Sequence, residues 1–124
     1  MLKGTYEFSP KPDQKVVVSF TITSEIVKHR SEVTQRTYCT ISVYEPDRTI
    51  KHYHGGTVCN PCDKFNERTG MFIAFKKALD ERWVDKHSQY GVSFWIAYHK
   101  KWSHFLSALM DGKAVIGDYY PDSI

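Results

Sequence analysis

Two histidines and two cysteines fall within eleven residues as His52-x-His54-x4-Cys59-x2-Cys62. Two imidazoles and two thiolates make a complete tetrahedral ligand set for Zn²⁺, and Cys59-x-x-Cys62 has zinc-knuckle spacing. On a strand, His52 and His54 project from one face, and the cysteine pair could turn its thiolates back toward them. Gly55 and Gly56 stand between the two pairs, so the turn that would close the site is not specified. The alternative is two exposed strand histidines and two unrelated cysteines. A redox reading of Cys59-Asn60-Pro61-Cys62 needs a helix N-terminus directly behind it to lower a thiol pKa, and the helical pattern begins later. Cys59, His52 or His54, and Asp63 have the composition of nucleophile, base and orienter, a combination that any chain with six histidines offers. No phosphate-cradling glycine loop, HExxH or GxSxG pattern is present. The expectation is a protein that is not an enzyme and uses no cofactor.

The elements that must position these residues are legible from periodicity. Residues 1–13 carry Gly4, Pro10 and Pro12 and read as an irregular arm, with room for a short edge strand over residues 5–8. Residues 15–58 read as strands. Val16, Val18, Phe20 and Ile22 recur at period two, and the next run sets Tyr38, Thr40, Ser42 and Tyr44 opposite Cys39, Ile41 and Val43. Pro46 and Asp47 supply a tight turn. A third strand then carries Ile50, His52 and His54 on one side, and its Gly55-Gly56 pair predicts a bulge or bend.

After Asp63 the period becomes helical. Phe72, Phe75, Leu79 and Trp83 form one apolar stripe on a helix over 66–83, with Asn66 as N-cap. A second helix over 92–111 keeps Val92, Trp95, Tyr98, Trp102, Phe105, Leu106 and Leu109 in register until Asp111-Gly112. Residues 114–120 have the pattern of a final strand. The expected fold is α+β: an antiparallel three- to four-stranded sheet packed against one or two helices.

At 124 residues the chain has the size of one domain that can bury a core without metal. Its net charge of +3 permits nucleic-acid binding without demanding it. Three cysteines and an opening Met-Leu-Lys-Gly-Thr without an apolar signal predict a reducing, cytoplasmic setting. No apolar run approaches the roughly 20 residues that span a bilayer, so no membrane role is expected. Lys76-Lys77 and His99-Lys100-Lys101 interleave with Trp83, Tyr90, Trp95 and Trp102, the composition of a surface that stacks single-stranded nucleic acid. The tryptophans, however, fall on the helical stripes, where the expectation is core packing.

The run Cys59-x-Pro61-x-Asp63-x-Phe65-Asn66-x3-Gly70-x2-Ile73-Ala74-x3-Ala78-Leu79 resembles a motif of small tailed-bacteriophage accessory proteins. The resemblance covers about a fifth of the chain, with Cys62 at a variable position. It implies a structural element in which Asp63 caps backbone amides, Phe65 plugs the core, and Gly70 and Ala74 let a helix approach the sheet. On that basis no metal is expected, with His52, His54, Cys59 and Cys62 as the zinc alternative. The resemblance also implies a function. The chain is expected to bind and inhibit a host protein or nucleoprotein in the bacterial cytoplasm, an anti-CRISPR role being the most concrete version. Lys76, Lys77, Lys100 and Lys101 are the candidate contacts. The alternatives are direct nucleic-acid binding through the lysine and aromatic surface, and a zinc-stabilised interaction module.

Overall fold

A computed structural model describes residues 2–11, 13–27, 32–59 and 64–113. Four strands, β1 (Leu2–Lys11), β2 (Gln14–Val27), β3 (Glu32–Tyr44) and β4 (Ile50–Val58), precede two helices, α1 (Glu67–Lys86) and α2 (Val92–Met110). The strands pair antiparallel in the order β1-β2-β3-β4, a meander, and the fold is α+β. The strand expected over residues 114–120 lies outside the described residues.

Period-two patterning decides the faces of the sheet. Val16, Val18, Phe20 and Ile22 on β2 and Cys39, Ile41 and Val43 on β3 are buried, and Val16 pairs with Val43 as Val18 does with Ile41. Because the register holds, the residues between them all reach the opposite face. Both helices cover the first face. α1 lies across β3 and β4, while α2 lies over β1 and touches α1. The second face stays uncovered among the described residues and carries Thr5, Glu7, Lys15, Val17, Ser19, Tyr38, Thr40, Ser42, Tyr44, His52 and His54.

The irregular N-terminal arm is corrected: residues 2–11 are a full edge strand. Pairing to β2 sets Phe8 opposite Val16 and aims it inward, where its ring stacks on Phe105 at 5.2 Å and meets Trp102 edge-on at 5.6 Å. Gly4 and Pro10 do not break the strand; they fall where its register to β2 shifts, between Leu2 and Gly4 and between Phe8 and Lys11. Glycine and proline are tolerated at such irregularities on an edge.

The bulge expected at Gly55-Gly56 is also corrected. β4 pairs with β3 without interruption from Tyr44↔Ile50 to Arg36↔Val58. Gly55 instead marks where α1 comes down on the strand: a Cβ there would lie 2.2 Å from the Ala74 carbonyl oxygen and 2.5 Å from the Ala78 nitrogen.

Asn66 caps α1 as expected, its Oδ1 accepting from the Thr69 N–H at 3.0 Å. The helix runs on past residue 83 to Lys86, a base in the last turn that suits the helix dipole. Its buried face is Gly70, Met71, Ala74, Phe75, Ala78, Leu79, Arg82 and Trp83. Of the expected stripe, Phe75, Leu79 and Trp83 are buried and Phe72 is half-buried; the face also takes in the small residues Gly70, Ala74 and Ala78. On α2, Tyr98, His99, Trp102, Phe105 and Leu106 are buried, whereas Val92 is 73% exposed.

Candidate functional site

The parity of β4 separates the histidines from Cys59. Tyr53 and Gly55 face the helices, Tyr53 contacting Arg82 and Gly55 contacting α1. His52 and His54 therefore stand on the uncovered face. There the Ser42 hydroxyl lies 2.8 Å from His52 Nδ1 and the Thr40 hydroxyl 3.3 Å from His54 Nδ1. The pairing continues past Val58, since the Cys59 N–H donates to the Gln35 carbonyl at 2.9 Å and the Thr34 hydroxyl to the Cys59 carbonyl. Cys59 lines a cavity of about 320 Å³ with Thr37, Phe65 and Gly70, at the junction of the sheet and the start of α1. The sheet stands between it and the histidine pair, and Cys62 lies outside the described residues. Among the described residues, no three His, Cys, Asp or Glu side chains gather as a metal-ligand group. Cys39 is buried under the helices, and burial pushes its thiol well above the ordinary range.

Ser42 and His52 stand at the distance of a nucleophile and its base. They do so on the uncovered face of the sheet, Ser42 on the inner strand β3 and His52 on the edge strand β4.

Of the phage-like motif, Pro61 and Asp63 lie outside the described residues. At Gly70 and Ala74 the helix lies close to the sheet: a Cβ on Gly70 would meet the Thr37 hydroxyl at 2.8 Å, and Ala74 is fully buried against Gly55. Phe65 is corrected from a core plug to a half-buried ring at the rim of the Cys59 cavity.

The four candidate lysines do not form one stripe. Lys76 reaches toward α2, its ammonium 5.6 Å from the Trp95 ring. Lys77 turns the other way and donates to the Gly56 carbonyl of β4 at 3.1 Å, covering part of an edge strand. Trp83 and Trp102 are core residues, as their helical spacing predicts. Trp95 is half-buried, and its indole N–H donates to Asp80 at 3.2 Å. Lys100 is exposed and Lys101 half-buried on α2.

Periodicity overlooked a buried charge. Arg82, 2% exposed, lies between the rings of Tyr53 and Trp102 at 5.5 and 5.4 Å. It donates to Glu45 at 3.1 Å and to the Tyr53 hydroxyl at 3.3 Å. Tyr53 donates to Asp85 at 2.6 Å, and Gln14 to the other Glu45 oxygen at 3.1 Å. Burial, followed by the bond to Asp85, pushes the Tyr53 phenol up to about 12, and that same bond holds the Asp85 carboxyl below its usual range. The network ties the β3–β4 turn to α1. Its signal was available: position 82 follows Phe75 by seven and Ala78 by four, on the buried stripe.

The second overlooked feature is exposed. At the α1–α2 corner, Val84, Tyr90, Val92, Phe94 and Ile96 are all open to solvent. Rings connect this corner to the core, from Trp83 to His87 at 5.3 Å, on to Tyr90 at 6.2 Å and to Phe94 at 5.7 Å. Val92, Ile96 and Lys100 follow one another at four-residue spacing along α2, so the apolar corner runs into an exposed base.

Among the described residues, no helix is long and apolar enough to cross a membrane. Comparison with family models, curated proteins and solved structures finds no match.

Proposed function

We propose that this chain is a non-enzymatic binding protein that inhibits a partner by occupying it, and that the α1–α2 corner is its contact surface. The observation that carries this reading is the exposure of Val92 and Ile96, at 73% and 53%, four residues apart on one face of α2, with Phe94, 46% exposed, on the other flank of the helix beside Tyr90. Exposed apolar side chains beside a row of rings that leads to the core have the make-up of a protein-binding hot spot, in which a few aromatic anchors carry most of the affinity. Lys100 and Lys101 extend the surface and suit a partner with acidic or nucleic-acid surroundings. Lys76 and Lys77 leave the proposed contact set, because both are engaged within the fold. The phage-like motif supports a host protein or nucleoprotein in the bacterial cytoplasm as that partner, with a CRISPR effector complex as the most concrete case.

The test is a target-cleavage assay with a purified CRISPR effector, titrated with the protein. Occupancy predicts inhibition that reaches a plateau near one copy per effector. Phe94→Asp with Ile96→Asp should abolish it while leaving the melting temperature unchanged, since both side chains are exposed. Inactivation at a small fraction of stoichiometry would reveal turnover and overturn the reading.

A second reading is favoured by the uncovered sheet face, where Arg36 lies 5.6 Å from the Tyr38 ring and Lys15 5.2 Å from that of Tyr44. Exposed rings beside cations suit single-stranded nucleic acid. Submicromolar binding of an oligonucleotide at near-physiological salt, lost in Tyr38→Ala, would put this reading first.

A further inference from the structure

We infer that His52 and His54 form a two-point binding site for a divalent transition-metal ion, Zn²⁺, Ni²⁺ or Cu²⁺, with Ser42 and Thr40 holding the two imidazoles in place. The site is independent of the α1–α2 corner. Two residues apart on a strand, the two Cα atoms are about 7 Å from each other and their side chains rise from one face, a separation that two imidazoles close by leaning toward a shared ion. β4 makes this register dependable, because its pairing with β3 runs without a shift through Ser42↔His52 and Thr40↔His54.

The orientation of the rings is what raises the pair above two surface histidines. In each, the nitrogen nearer the backbone, Nδ1, is engaged by a hydroxyl on the neighbouring strand, at 2.8 Å for Ser42 and 3.3 Å for Thr40. When Nδ1–H donates to the hydroxyl oxygen, the lone pair is placed on Nε2. A metal-bound histidine commonly has its other ring N–H fixed by a partner in this way. Both rings are exposed, so Nε2 is open to an ion from solvent. The cross-strand rows that hold the pair continue through Val17 and Ser19, which bring no positive charge against a dication. Imidazole nitrogen suits zinc, nickel and copper and does not suit magnesium. No third described ligand joins the pair, so an ion held here keeps the rest of its coordination sphere for water or for a partner's donor groups.

The experiment is calorimetric titration of the whole chain, stripped with chelator, with Cu²⁺, Ni²⁺, Zn²⁺ and Mg²⁺ in turn, alongside NMR of the histidine ring protons. One ion per chain is expected, tightest for Cu²⁺ and with no heat for Mg²⁺, and the His52 and His54 resonances should move together. His52→Ala or His54→Ala should each weaken binding at least about tenfold, and Ser42→Ala by about tenfold through the loss of ring positioning. Cys59→Ser and His104→Ala should leave it unchanged. His52, His54 and His104 are exposed, Ser42 and Cys59 half-buried, and a melting curve for each variant separates lost binding from lost fold. The site is overturned by an absence of saturable binding, by binding that survives His52→Ala with His54→Ala, or by binding that falls with Cys59→Ser. Indifference to Ser42→Ala overturns the positioning role.

Discussion

Gly55 on β4 and Ala74 on α1 meet so closely that a Cβ on Gly55 would lie 2.2 Å from the Ala74 carbonyl oxygen. Helix backbone rests on strand backbone at this point, and neither has a flexible side chain that could yield. Gly55→Ala should therefore force α1 off the sheet and cost about 3 kcal/mol, the upper part of the range for overpacking. Gly56→Ala is the control. Its Cβ would meet the Tyr38 ring at 3.4 Å, an ordinary contact, and the change should be close to neutral. Urea denaturation of the two variants checks the contrast; similar midpoints would mean that α1 sits further from β4.

The same close approach explains which face of α1 is buried. Gly70, Ala74 and Ala78 occupy the centre of the contact and push Phe72 to its margin, where it is half-buried beside Arg68. Phe75→Ala should cost about 3–5 kcal/mol, as expected for a fully buried aromatic, and Phe72→Ala clearly less. Thermal melts of the pair decide it. Equal losses would mean that Phe72 is as much a core residue as Phe75.

The fold was legible where alternation is strict. Val16, Val18 and Phe20 against Val43, Ile41 and Cys39 leave one register that buries them all. It was less legible where local signals and tertiary pairing disagree. Gly4 and Pro10 argue against a strand, yet an open β2 edge and a pocket for Phe8 outweigh them. For α1, counting large apolar residues found Phe75, Leu79 and Trp83 on the buried face but wrongly included Phe72 and left out Gly70, Ala74 and Ala78, because close packing against a strand selects small residues.

The candidate site was illegible for a related reason. A bulge at Gly55-Gly56 would have reversed parity and left the positions of His54 and Cys59 relative to each other open. In an unbroken strand, positions 52 and 54 share a face that position 59 does not. The linear spacing of the four ligands carried no information about which case holds. The apolar corner was hidden too, because Val92 and Phe94 look like core residues in any hydrophobicity pattern.

Arg82 and Glu45 form an ion pair of which only 3% and 17% of the side-chain surfaces are exposed. Removing one partner strands the other charge in a dry site. Arg82→Ala should therefore cost about 3–5 kcal/mol, and Glu45→Ala a comparable amount, whereas the double variant Arg82→Met with Glu45→Leu should recover much of the loss. Chemical denaturation of the three variants tests this. A double variant no better than the singles would show that the pair contributes more than compensation for its own burial.

Tyr53 gives the network a pH signature at the alkaline end. Its phenol, which ionises near 10 when free, is pushed up to about 12 by burial and by the bond it donates to Asp85. Tyrosine is charged when deprotonated, so a raised value in the folded state means that folding favours the neutral phenol. The stabilisation is fully present below pH 10, and it is lost as pH rises from about 10 through 12, because the unfolded chain ionises first. Tyrosinate absorbance should accordingly show a late-ionising component in the native protein, with the lag abolished in denaturant. Tyr53→Phe should shrink that component by the absorbance of one tyrosine and leave the rest of the titration in place. If the late component keeps its full amplitude in the variant, Tyr53 is not among the protected tyrosines and the bond to Asp85 does not hold the proton.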